Sequence, residues 1–134
     1  MSRELVDAFA ARLEAQVPSR TVYRHAVPAN PVARYFLVAS SVTRSADTLG
    51  DVARMSDGLV WVTSVSRNAS PEVAATEAVW GQEKAQAALT NWRPTVGAIA
   101  WKPEHEGGQP VQRDPDLPDT VVMYAVDRYR AIFQ

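Results

Sequence analysis

Cysteine is absent from this 134-residue chain. That excludes disulfide scaffolds, thiolate metal sites and cysteine nucleophiles. Histidine occurs only at positions 25 and 105, too few for an imidazole metal cluster. No apolar run approaches the roughly twenty residues of a membrane-spanning helix. The opening MSRELVDAF lacks the apolar core of a secretory leader, so the expectation is a protein assembled in the cytoplasm. Lysine is scarce too: Lys84 and Lys102 stand beside twelve arginines. A net charge of −1 argues against a dedicated nucleic-acid binder. What remains is an ordinary globular composition, 46% hydrophobic and 22% charged, long enough for one domain with its own core. The excess of arginine over lysine, beside abundant alanine and valine, matches a GC-rich codon usage. Arginine also suits protein interfaces, where its planar fork pairs with carboxylates and stacks on aromatics.

The periodicity predicts an α+β fold. Leu5, Val6, Phe9 and Leu13 recur at helical spacing up to Gln16, and Pro18 ends that segment. Residues 21–26 read as a short strand, Pro28 and Pro31 frame a turn, and residues 34–41 (RYFLVASS) form a strand. Residues 42–57 show no strand alternation and read as a long polar loop, of a length that usually carries function. Residues 58–66 (GLVWVTSVS) are apolar on both faces, as in an interior strand covered on both sides. Ser70-Pro71-Glu72 starts a second helix running to about Asn91. Its stripe Ala74, Ala78, Gly81, Ala85 and Ala88 would let it lie close on a sheet. A strand over 96–102 follows. Residues 103–119 hold five acids against one arginine, with at most a short strand near 110–113, and a long strand covers 120–132. The predicted order is α-β-β-β-α-β-(β)-β: a mostly antiparallel sheet with hairpin connections and two helices on one face, in a single domain over 1–134.

Catalytic patterns are missing. No GxSxG elbow and no glycine-rich phosphate loop occurs. Glu104, His105 and Glu106, even joined by Asp114 or Asp116, are consecutive residues that point apart and read as a solvated loop rather than a metal site. Asp114 and Asp116 resemble a carboxylate pair, but the prolines of RDPDLPD make that segment an extended turn. Arg20 and Arg24 lie near Tyr23, and Arg128 and Arg130 flank Tyr129. These read as two small surface pairs suited to strand edges or protein contacts. The four tryptophans, at 61, 80, 92 and 101, exceed what a small core needs, and any left exposed would be interface candidates.

Taken together, the LVDAFAARL helix, the VPANPVARYFLV strand entry, LVWVTSVS, the ALTNWRP helix end and the closing QPVQRDPDLPDTVVMYAVDRYR cover nearly the whole chain. In this pattern the chain resembles the small tail-terminator proteins of long-tailed bacteriophages and prophages, particularly those of actinobacterial hosts. The resemblance implies a structural virion protein without catalysis or cofactor. It would form a homo-oligomeric, hexameric ring at the head-proximal end of the tail. Its implied partners are copies of itself, the major tail-tube protein, the head-completion (connector) protein and the tape-measure protein. DNA would only pass through the lumen, and no membrane is involved. A closed ring needs two different patches on each subunit. The candidate partner-contact loop is Thr43, Arg44, Asp47, Leu49, Asp51, Arg54 and Met55. The candidate subunit interface is Arg113, Asp114, Asp116, Arg128 and Arg130. The alternatives are another neck component, such as a head-completion or minor tail protein, and a monomeric enzyme or ligand-binding domain.

Overall fold

The computed structural model describes residues 2–44, 56–94, 102–115 and 120–133. Along the chain run α1 (Ser2–Gln16), β1 (Thr21–Arg24), β2 (Arg34–Arg44), β3 (Ser56–Arg67), α2 (Pro71–Leu89), β4 (Glu104–Gly108), β5 (Gln112–Arg113) and β6 (Val122–Phe133). This is the expected α+β order. The strands form one sheet in the order β1-β2-β3-β6-β4, with β5 on the same side of β6 as β4.

Helix α1 forms because its apolar residues share one stripe. Leu5, Val6, Phe9, Ala10 and Leu13 are all fully buried. They pack on Val22, Phe36, Val38, Val60 and Val62 of the sheet. Phe9 meets Trp92 edge-on at a centroid distance of 5.2 Å and leans on Tyr129 at 6.2 Å. Helix α2 begins where Ser70 accepts a hydrogen bond from the Val73 amide at 3.4 Å, with Pro71 at the first helical position. Its buried side is the predicted stripe Ala74, Ala78, Gly81, Ala85 and Ala88, completed by Leu89.

Four expectations are corrected. Antiparallel pairing joins β2 to β3 and β3 to β6, but β1 runs parallel to β2. Residues 25–33 are long enough to carry the chain back along a four-residue strand, so no hairpin forms there. The predicted loop at 42–57 begins later, because Thr43 and Arg44 continue β2 opposite Asp57 and Ser56. Ladder hydrogen bonds satisfy the backbone whatever the side chains are, which is why polar residues extend the strand. The acidic stretch holds a second strand, β4, where only one near 110–113 was expected. Its pairing with β6 is irregular between His105 and Gly107, and Gly107 takes up a φ of 116° that suits glycine. Finally, β3 is interior within the sheet but helices cover only one of its faces. The expected strand at 96–102 lies outside the described residues except for Lys102, which is not in a strand.

Gly81 sets how close α2 lies to the sheet. A Cβ there would run into the Ser64 hydroxyl and come within 2.6 Å of the Arg20 guanidinium. Helix propensity alone would make Gly81→Ala stabilising by about 1 kcal/mol. We expect the opposite sign, a loss of about 1–3 kcal/mol from overpacking, read from the urea midpoint.

Candidate functional site

Strand alternation divides the sheet into a face under the helices and an open face. The open face carries Tyr35, Leu37 and Ala39 of β2, Leu59, Trp61, Thr63 and Val65 of β3, and Tyr124, Val126, Arg128 and Arg130 of β6. Val65 is buried there, as is Val122 on the same side of β6, Arg128 is exposed, and the others are half-buried. Aromatic and arginine side chains on a half-buried surface are the composition of an interface core. Tyr35 packs edge-on against Tyr23 at 5.2 Å. The Tyr23 hydroxyl accepts the Val32 amide hydrogen bond at 3.2 Å, which ties down the loop between β1 and β2.

The expected site residues are partly brought together. Arg113 is exposed on β5, and the Asp114 amide donates to the Val122 carbonyl at 2.8 Å. Asp114 lines a groove of the open face with Tyr35 and Tyr124. Arg128 and Arg130 share that face but lie toward the other end of β6, roughly 20–25 Å away along the strand. Arg128 instead borders a second groove with Trp61 and Glu106. Thr43 and Arg44 end β2. Asp47, Leu49, Asp51, Arg54, Met55 and Asp116 lie outside the described residues.

Two charged groups missing from the expected site are built into the helix-covered side. Arg20 is only 6% exposed, not a surface residue as its neighbourhood in the sequence implied. Its guanidinium donates to the Glu77 carbonyl at 2.7 Å and to the Ser64 hydroxyl at 3.4 Å. It also lies over the rings of Trp80, at 5.1 Å, and Phe36, at 5.7 Å. Burial pushes its pKa below the usual arginine range. The Glu77 carboxylate acts in the opposite direction and Arg34 adds to the lowering. Arg34 pairs with Glu77 at 3.0 Å. These groups line a cleft of about 580 Å³ at the β1 edge, with Val32 and Trp80 on its rim. The other sequence-paired arginine, Arg24, is held by Asp7 at 3.3 Å and Glu14 at 2.6 Å.

The second group is Asp127, 1% exposed on β6. Its carboxylate accepts from the side-chain amides of Gln82 at 3.1 Å and Gln86 at 3.0 Å, and His105 Nε2 lies 3.1 Å away. Gly108 makes room for it, since a Cβ there would collide with the carboxylate. The cluster ties α2, β4 and β6 together. Its geometry is that of a hydrogen-bonded brace: Gln82, Gln86 and His105 all converge on the Asp127 carboxylate from neighbouring elements. Beside it, the Tyr129 hydroxyl is buried without a hydrogen-bond partner among the described residues. Burial, and secondarily the Asp127 charge, push its pKa upward, so it stays neutral. Among the described residues, no group of three or more acidic, histidine or cysteine side chains is placed to hold a metal. No described helix is long and apolar enough to cross a membrane.

Asp127 was legible as a charge on the inward parity of TVVMYAVDRYR, the parity shared by Ala125, Tyr129 and Ala131. Arg20 precedes its strand, so no parity rule reaches it.

No protein-family model and no curated protein matches the sequence. Solved structures do match the fold. One is a chain from the virion of a native gene transfer agent particle, with a TM-score of 0.69 and 16% identity over 96% of this chain and 93% of that one. Another, whose name states no function, has a TM-score of 0.64 and 18% identity over 98% of this chain and 94% of that one.

Replacing Asp127 with Asn puts an amide N–H against the donors of Gln82 or Gln86, and should cost about 1–3 kcal/mol. Tyr129→Phe removes an unpaired hydroxyl and should be neutral or slightly stabilising. Parallel urea titrations of the two variants check both signs.

Proposed function

We propose that the chain is a structural subunit of a phage-like particle, and specifically a terminator that caps a tail tube as a homo-oligomeric ring. The observation that carries the reading is the end-to-end fold match with a chain of a gene transfer agent virion. The resemblance of the sequence to tail terminators supports the finer role. The one-sided sheet is in keeping with it, because a subunit with a half-buried aromatic and arginine face gains by covering that face in an assembly. In this reading a hexameric ring ends tube growth, and the residues joining β2 to β3 meet the tail-tube protein. The opposite rim receives the head-completion protein, and DNA passes through the lumen. Arg113, Asp114, Asp116, Arg128 and Arg130 then belong to contacts between subunits. No catalytic role is assigned to any residue.

Electron microscopy of particles assembled without this protein tests the role. The expected outcome is overlong tube polymers with unjoined heads. Free tails of normal length would move the protein to a head-side joining position instead.

A further inference from the structure

The cleft beside Arg20 is built but unclaimed by the ring reading. Among the described residues the large hydrophobic side chains left exposed are Val32, Val73 and Trp80. Val32 and Trp80 rim this cleft, and Val73 lies two turns before Trp80 on α2. Inside, the Arg20 and Arg34 guanidinium groups face the single carboxylate of Glu77, so the cleft carries a net positive charge. Arg20 spends two of its five N–H donors on Ser64 and Glu77, and Arg34 is 59% exposed. The occupant that fits presents acidic groups beside apolar ones and loses little freedom when it docks.

We propose that this cleft receives residues 114–119, DPDLPD, of a second copy of the chain. That segment has three carboxylates, two prolines and a leucine, with no cation among them. Prolines favour an extended form with little entropy left to lose, of the kind that aromatic-lined grooves accept. The segment leaves from Asp114 and returns at Val122 on β6, and a loop between those two anchors reaches out at most about 14 Å. Asp114 follows β5 on the outer side of β6 and lines the open face, whereas the cleft lies beside β1 on the helix side. About four strand spacings, roughly 19 Å, and the thickness of the sheet separate them. A donor on one flank and an acceptor on the other make a head-to-tail contact, the kind that closes a ring. The inference rests on the ring reading above and names the surfaces that meet.

The test is sedimentation of the whole protein over a range of concentrations, with circular dichroism confirming that each variant folds. Arg34→Glu and the pair Asp116→Lys with Asp119→Lys should each weaken self-association about tenfold or more. Combining all three substitutions should restore it. Trp80→Ala, which leaves both charges in place, should weaken it as well. Self-association unchanged by Arg34→Glu, or lost and not regained in the combined variant, overturns the inference, as does a wild-type chain that stays monomeric at every concentration. Tail length in particles lacking the protein judges the terminator role separately, so the two can fail independently.

Discussion

The distance between α2 and the sheet is set by a side chain that is missing. Gly81 leaves the space in which Ser64 and the Arg20 guanidinium sit, and everything near the β1 edge follows from that approach. With the helix this close, Arg20 reaches a main-chain carbonyl of α2 and lies between Phe36 and Trp80. Farther along the same helix, Gln82 and Gln86 come within hydrogen-bonding range of a carboxylate buried on β6. A buried charge is tolerable only when it is hydrogen-bonded, and both Arg20 and Asp127 find a partner on α2. The helix is thus held by two polar contacts of opposite sign as well as by its alanines.

Much of this was legible because the periodic signals were local and strong. The α1 stripe, the cap at Ser70 and the small-residue face of α2 needed only spacing and composition. The parallel pairing of β1 with β2 was not legible. Two prolines in a short connection read as a turn, and nothing local records that the chain doubles back across that span. β4 was masked by its glycines and charges and by Pro103 and Pro110 on either side of it. Its partner β6 supplies the ladder, and Gly107 and Gly108 are there for backbone geometry and for Asp127 rather than for strand propensity. The alternation of β3 correctly showed apolar residues on both faces. It could not show that, among the described residues, helices cover only one of those faces.

That asymmetry separates two kinds of buried surface. The side under the helices is filled by aliphatic and aromatic side chains and resembles the interior of any small domain. The other side mixes tyrosine, tryptophan, threonine and arginine at intermediate burial. Such a mixture tolerates water, which a purely aliphatic face of the same size would not do without aggregating. The near-zero net charge therefore conceals local separation: Arg20 and Arg34 sit at the helix-covered flank and Arg128 and Arg130 on the open face, while residues 103–119 hold five acids against one arginine.

The hydrogen bond from the Val32 amide to the Tyr23 hydroxyl has a kinetic consequence. It fastens a loop that already contains Pro28 and Pro31, so the rim of the β1-edge cleft keeps its shape in the free subunit. A surface shaped in advance gives up little conformational entropy on encounter. For the head-to-tail contact proposed above, this would leave association limited by collision and orientation rather than by the ordering of a loop.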